Sequence, residues 1–184
     1  MNIARRSLHR VNRFGRNTRA VAATEFALIL PFMLILWLGG VEVTQLLSID
    51  RKAAQATRTI ADLVAQVKFS KCDSASNEPS DSDLKTFFDA ADEVVSPYPV
   101  DPMMAVVVSC LEIDKNGVIK VMWSQARRGD PRTAAPPLEE GLNDTNATTY
   151  WVLGEATYTH TPTIGYVLTG PFNLSEQVYM RSRI

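Results

Sequence analysis

The sequence has few of the residues from which metal sites and nucleophile sites are built. Its 184 residues include only two cysteines and two histidines, and His160 is the only histidine beyond residue 20. It contains no histidine–cysteine cluster at metal-ligand spacing, no phosphate-binding glycine loop, no nucleophile elbow and no pair of catalytic carboxylates. The run Asp114-Lys-Asn-Gly117 lacks the spacing and the terminal glutamate of a calcium loop. We therefore expect no enzyme activity, no metal and no cofactor.

Acidic residues are absent from the first 20 positions. These positions hold six arginines: Arg5, Arg6, Arg10, Arg13, Arg16 and Arg19. The rest of the chain has 13 basic and 20 acidic residues, a net charge of −7. A basic end beside an apolar segment stays in the cytoplasm, while the chain that follows is translocated. An acidic remainder without a basic, aromatic-rich patch argues against a nucleic-acid partner.

One long apolar run follows the arginines. Residues 26–41 carry no charge, and as a helix they extend about 24 Å, compared with roughly 30 Å for the hydrocarbon core of a bilayer. Extension past Glu42 to Ile49 supplies the missing length and puts Glu42 near the outer boundary of the membrane. The alternative is a cleaved secretory signal, for which Gly39 and Gly40 are the only small-residue candidates.

The helical pattern continues beyond the apolar run. Apolar residues recur there at spacings of three and four, which predicts an amphipathic stripe. Its members are Ile49, Ala53, Ala56, Ile60, Leu63 and Val67. We predict a basic leader over 1–20 and one helix over about 21–68, with a transmembrane part at 21–48 and an amphipathic part at 49–69. Pro31 falls in the transmembrane part, where helices tolerate proline.

Residues 70–184 show the pattern of a separate α+β domain. Ser80 followed by Asp83 indicates a helix start, and Pro97 indicates its end. Strand-like runs follow at 104–113, 118–123, 150–159 and 175–180, and Asp114–Gly117 is a hairpin turn between the first two. The sequence therefore predicts an α+β fold in which a long N-terminal transmembrane and amphipathic helix carries an antiparallel sheet on its amphipathic half.

The two cysteines both follow the apolar run. Cys72 and Cys110 would lie outside the cytoplasm if the chain is translocated, and that compartment permits a disulfide. A bridge closing a loop of this size would stabilise the fold by roughly 3–4 kcal/mol. The alternative is two unrelated buried thiols, because the sequence does not show whether the two Cα atoms come within bridging distance.

The N-terminal motif resembles that of a known family. The stretch Arg19-Ala-Val-Ala-Ala-Thr-Glu-Phe-Ala-Leu-Ile-Leu-Pro31 is similar to the N-terminal signature of the TadE/TadG-like pseudopilins, minor pilin-like proteins of the tight-adherence (Flp) pilus machinery. Ile60–Gln66 resembles the helix that follows the membrane span in that family. Glu155–Pro162 and Val178–Arg183 resemble its C-terminal strands.

The resemblance implies processing by a prepilin peptidase. Mapped onto this chain, the cut falls between Ala20 and Val21, where the family usually has glycine before the cut. Glu25 then becomes the fifth residue of the mature protein and would pair with the free amine of Val21 in a neighbouring subunit, which sets the register between subunits. The alternative is that Glu25 lies at the aqueous interface with headgroups and water.

The resemblance also implies location and partners. It predicts a single-pass protein of the bacterial inner membrane with a cytoplasmic N-terminus and a pilin-like periplasmic domain. Its partners would be the prepilin peptidase and other Tad pilin-like subunits, with no nucleic acid and no small-molecule substrate. Helices would pack through their small residues: Ala22, Ala23, Ala27, Gly39 and Gly40. The alternative is a signal-anchored periplasmic binding or sensor module with an uncut leader; a periplasmic hydrolase fits less well, because no nucleophile is evident.

Overall fold

The computed structural model describes residues 18–66, 79–142 and 147–181, with side chains from Val21 onward. The chain divides into two compact units. The N-terminal unit comprises the chain up to Thr44 together with Pro162–Thr169, and the sheet unit comprises Gln45–Thr161 with Gly170–Ile184. The predicted leader, apart from its last three residues, lies outside the described residues.

Helix α1 runs without interruption over Thr18–Gln66, a length of 49 residues. It includes Pro31, whose ring nitrogen has no hydrogen to donate to the preceding turn. Threonine hydroxyls donate to carbonyls of the same helix at two places, from Thr24 to Val21 at 2.8 Å and from Thr44 to Gly40 at 2.7 Å. The helix predicted over 21–68 therefore corresponds to α1.

The second half of α1 buries one face in the sheet unit. Four members of the predicted stripe are buried: Ile49, Ala53, Ala56 and Ile60. The assignment of Leu63 to that stripe was wrong, because Leu63 is half-buried while Ala61 and Val64 are fully buried. At 3.6 residues per turn, position 64 follows position 60 more closely along the face than position 63 does. Val67 lies outside the described residues.

Helix α2 spans Asp81–Val95 and begins as predicted. The Ser80 hydroxyl oxygen accepts from the backbone N–H of Asp83 at 3.3 Å, and the hydroxyl donates to the Asp83 carboxylate at 2.7 Å. This cap satisfies a backbone donor that the first turn of a helix leaves free. The helix buries its apolar side against the core: Leu84, Phe88, Ala91 and Val95.

Four antiparallel strands form one sheet in the order β2-β1-β3-β4. The strands are β1 Met104–Ile113, β2 Ile119–Arg127, β3 Thr149–His160 and β4 Phe172–Arg181. The predicted antiparallel sheet and α+β class are confirmed. Strands β2 and β4 are longer than predicted. The predicted turn closes β1 and β2, since the N–H of Asp114 donates to the carbonyl of Val118 at 3.1 Å and Gly117 adopts a φ of 80°.

The core of the sheet unit lies between α1, α2 and one face of the sheet. Gly154 of β3 allows α1 to approach closely. A Cβ atom built on Gly154 would lie 2.9 Å from the Thr57 carbonyl oxygen and 3.0 Å from the Cβ of Ala61. Any side chain at this position would therefore force the helix away from the sheet.

Two arginines in the irregular segment after β2 form hydrogen bonds to α2, β1 and β3. The Arg128 guanidinium donates to both carboxylate oxygens of Asp92 in α2 and, at 2.6 Å, to the carbonyl of Met104. Arg132 forms a two-pronged pair with Glu155 of β3, and its Nε–H···Oε2 bond is 2.7 Å long. Such paired geometry fixes orientation as well as adding energy.

Cys110 lies in β1 with its side chain fully buried in the core. Cys72 lies outside the described residues. The bridge between them therefore stays a prediction.

Candidate functional site

The first half of α1 presents an apolar surface. Large side chains are exposed along it: Phe26, Leu28, Ile29, Phe32, Met33, Leu36 and Trp37. Among the described residues, α1 is the one helix long and apolar enough to cross a membrane, and only 11% of its most apolar window is buried. The apolar core helix of a soluble protein would bury most of that window. The helix therefore suggests a membrane anchor.

Glu25 and the predicted cut site lie at the start of this surface. Glu25 is exposed on α1, with the exposed apolar residues Val21 and Phe26 close to it in sequence. The backbone of Ala20 and Val21 is already helical. A carboxylate on an apolar helix surface is a functional candidate by default, because burying it in lipid without a partner is unfavourable. Its pairing with a neighbouring subunit stays a prediction.

Glu42 is the second carboxylate of the apolar half of α1, and it has partners within the N-terminal unit. Its side chain is 1% exposed. Oε1 accepts from the backbone N–H of Gly165 at 2.7 Å, and Oε2 accepts from the backbone N–H of Leu168 at 3.2 Å. Both donors belong to the segment Pro162–Thr169 between β3 and β4, which we call the 162–169 loop. Glu42 thus holds this loop by two charge-assisted hydrogen bonds.

Gly39 provides the room for the loop. A Cβ atom at Gly39 would lie 3.1 Å from Cγ1 of Val167, whereas a Cβ atom at Gly40 would meet nothing within 4 Å. Gly165 adopts a φ of 62°, a backbone conformation that side chains disfavour, and its N–H meets the Glu42 carboxylate. The loop is therefore fitted to one turn of α1.

The small residues predicted to pack against other helices fall into two groups. Gly39 is buried, and Val167 of the same chain occupies the space that a side chain at this position would need. The others are exposed: Ala22, Ala23, Ala27 and Gly40. Their packing against a second helix stays a prediction.

Many charged side chains of the sheet unit are paired within that unit, whereas the Trp123 Nε1 and Tyr179 hydroxyl groups are buried without a hydrogen-bond partner among the described residues. His160 is a half-buried residue at the end of β3, and no group of three metal-ligating side chains occurs within 18–66, 79–142 and 147–181. The hydrogen bonds that Arg132 donates to Glu155 raise the pKa of Arg132 above its ordinary value, and burial raises the pKa of Tyr179. Both shifts arise from packing and pairing.

The fold and this site define a class: a protein with one apolar helix that suggests a membrane anchor, continued into the core of a four-stranded antiparallel sheet domain. The model of the TadE-like protein family matches residues 20–62, which are most of α1. The resemblance drawn from the sequence is confirmed over these residues, and the match relates the chain to the Tad pilus system. No curated protein and no solved structure matches the chain.

The sequence placed Glu42 at the outer boundary of the membrane but missed its partners. One sequence feature close to Glu42 could have indicated that another segment packs there. Two successive glycines, Gly39 and Gly40, precede Glu42 on the same helix, and glycine permits close approach of another backbone. The sequence did not indicate which segment approaches.

Proposed function

We propose that the protein is a minor, TadE-like pseudopilin that takes part in assembly of a tight-adherence (Flp) type IV pilus. In this proposal α1 anchors the chain in the bacterial inner membrane, with the arginine-rich leader in the cytoplasm and the sheet unit in the periplasm. A prepilin peptidase cuts between Ala20 and Val21. The mature protein then assembles with other Tad pilin-like subunits and helps to initiate, prime or cap the pilus.

The observation that carries the proposal is the family match over residues 20–62. It covers the apolar half of α1 and most of the amphipathic half, and it begins at Ala20, the residue before the proposed cut. The six leader arginines favour retention of the N-terminus in the cytoplasm. The exposed apolar surface of α1 supports insertion in a membrane and lateral packing against other helices.

Glu25 supplies the proposed link between subunits. It lies four residues after Val21, on the exposed part of the helix. Cutting before Val21 creates a free amine, and a carboxylate near a helix N-terminus also interacts favourably with the helix dipole. In an apolar medium the pair between the amine of one subunit and Glu25 of the next would be stronger than in water. The pair would fix the axial offset between two helices.

The first test is the intact mass and N-terminal sequence of the protein from native membranes, with and without the prepilin peptidase. A chain that starts at Val21 only when the peptidase is present supports the proposal. A full-length chain in both strains contradicts processing and favours a signal-anchored periplasmic binding or sensor module. Ala20→Gly restores the residue usual in the family and should be cut at least as well, whereas Ala20→Phe should remain uncut.

The second test concerns Glu25. Glu25→Gln should reduce co-purification with other Tad pilin-like subunits, and Glu25→Asp, which keeps the charge, should restore part of it. The amine exists only after cleavage, so Glu25→Gln should have no further effect in the strain without the peptidase. An equal loss in both strains would contradict pairing with the Val21 amine.

A further inference from the structure

The 162–169 loop exposes apolar side chains at its tip. Ile164 is 48% exposed, Tyr166 is 79% exposed and Val167 is 41% exposed. The sequence has no acidic or basic residue between His160 and Glu176. A soluble surface loop normally mixes charged and polar residues, so an uncharged loop with three exposed apolar side chains indicates a surface that meets an apolar partner.

The loop is attached to the apolar half of α1 within the N-terminal unit. The Val167 side chain occupies the space beside Gly39, and Glu42 accepts from the backbone N–H groups of Gly165 and Leu168. These contacts place the loop beside residues 39–42 of α1, where the uncharged run 26–41 ends. The exposed apolar surface of the loop is therefore continuous with a helix that suggests a membrane anchor.

The Glu42 bonds also provide hydrogen-bond partners that irregular backbone would lack in lipid. Each unsatisfied N–H or C=O in the apolar part of a bilayer is unfavourable by several kcal/mol, so irregular segments are tolerated only when their backbone groups find partners in the protein. Glu42 satisfies two backbone donors at the point where the loop meets α1. A loop at an aqueous surface would not need these bonds, because water would accept hydrogen bonds from its backbone N–H groups.

We propose that the 162–169 loop is a second membrane-contacting element, whose tip residues Ile164, Tyr166 and Val167 insert into the lipid interface beside α1. The partner is the lipid at the headgroup–acyl boundary. The loop exposes Tyr166, and α1 exposes Trp37 at 66%; tyrosine and tryptophan are enriched at membrane interfaces. Trp37 precedes Gly39 by only about 3 Å along the helix axis.

This inference rests on membrane anchoring by α1, which belongs to the proposed function. The experiment therefore reports on the helix and the loop separately. The full-length chain is reconstituted in phosphatidylcholine vesicles with or without bromine on the acyl chains, which quenches nearby tryptophan. Loss of Trp37 fluorescence, measured as the difference between the native chain and Trp37→Phe, reports insertion of α1. The Trp37→Phe chain keeps Trp123 and Trp151, so the difference that Tyr166→Trp makes in this chain reports on the loop.

Val118→Trp in the same Trp37→Phe chain is the matched control. Val118 is 51% exposed just after the β1–β2 turn, and Lys115, Asn116 and Lys120, close to it in sequence, are also exposed. This setting is that of an aqueous surface, so the added tryptophan should be quenched by iodide in solution and not by brominated lipid. The expected result for Tyr166→Trp is the reverse, with a loss in brominated vesicles comparable to that of Trp37.

Three results would overturn the inference, and they are distinguishable. If lipid quenches Trp37 but only iodide quenches the tryptophan added by Tyr166→Trp, the loop lies in water while α1 stays in the membrane. If neither quencher reaches the added loop tryptophan, protein covers the loop, such as a second copy of the chain. Absence of lipid quenching at both positions would remove the membrane anchor and, with it, the proposed function.

Discussion

Oε1 of Glu42 lies 2.7 Å from the backbone nitrogen of Gly165, which is 123 residues further along the chain. This bond joins the last part of the apolar helix to the 162–169 loop. Because the second carboxylate oxygen accepts from Leu168, one side chain fixes the loop at two points. A single buried glutamate thus supplies both side-chain hydrogen bonds between α1 and the loop described within the N-terminal unit.

Replacing Glu42 by glutamine should release the loop. An amide has one acceptor oxygen where the carboxylate has two, and its NH₂ group would face a backbone N–H. A hydrogen bond to a charged group contributes roughly 1.5–3 kcal/mol, so amide exchange at Gly165 and Leu168 should accelerate by about tenfold or more. Hydrogen exchange measured on the full chain in detergent micelles would show this.

Glu25→Gln is the matched control for this prediction. It removes the same charge from the same helix, but Glu25 is exposed. The exchange of Gly165 and Leu168 should therefore be unchanged. Equal acceleration in both variants would mean that helix charge, and not the Glu42 bonds, protects the loop.

Alanine at Gly39 and at Gly40 should have different effects, although the two glycines are adjacent. Alanine in a helix is favoured over glycine by about 1 kcal/mol, and Gly40 has open space around its Cα. Gly40→Ala should therefore raise the thermal unfolding temperature. Gly39→Ala would bring a methyl group to 3.1 Å from Val167 and should give a smaller rise or a fall.

The double variant Gly39→Ala with Val167→Ala isolates that contact. Removing the valine side chain eliminates the atom that the new methyl group meets. The double variant should thus be more stable than the sum of the two single changes indicates. Simple additivity would show that Val167 does not limit the space at Gly39.

Gly154→Ala should destabilise the sheet unit. The added Cβ would lie 2.9 Å from a backbone oxygen of α1, which has little freedom to move away. Overpacking of this kind typically costs about 1–3 kcal/mol of the free energy of unfolding, measurable by chemical denaturation. Combining it with Ala61→Gly removes one of the two close contacts, so a double-mutant cycle should recover only part of the loss.

The turn at Asp114 should lose stability in acid. Backbone N–H bonds from Val118 at 2.8 Å and from Asn116 at 2.9 Å hold the pKa of Asp114 below its ordinary value. A lowered pKa stabilises the fold above the unfolded-state value of about 3.9, and this contribution disappears as the pH falls through the folded-state pKa. The amide shifts of Val118 and Asn116 should therefore titrate with a midpoint below that of a free aspartate. A midpoint at or above it would contradict the bonds.

Local chemistry made the regular elements predictable. The Ser80 cap of α2 and the Asp114–Gly117 turn follow from residues only three positions apart, and both occur as predicted. The long α1 follows from the uncharged apolar run and from the apolar spacing that continues beyond it. The ends of β2 and β4 were placed several residues short, because strand ends depend on neighbours in the sheet as well as on their own sequence.

The hydrogen-bond partners of Glu42 could not be predicted from local sequence patterns. A glutamate within an apolar helix signals function or a boundary, but its donors are backbone N–H groups, which every residue except proline has. No side chain in the 162–169 loop marks it as the partner. The sequence indicated which side of α1 is buried, but it did not indicate every residue on that side. Leu63 and Val64 are both apolar, and only packing decides which of the two is fully buried.

Gly154 also determines how α1 is seated on its own sheet. The space above this glycine accepts the Thr57 carbonyl and the small Ala61 side chain, and it would reject Arg58, which is exposed one residue further along. Sliding the helix by one residue turns it by about 100° and would bring such a side chain to that space. The lack of a side chain at Gly154 therefore fixes the register of α1 against the sheet. Deleting a single residue from the amphipathic half of α1 should leave no helix face that fits this space.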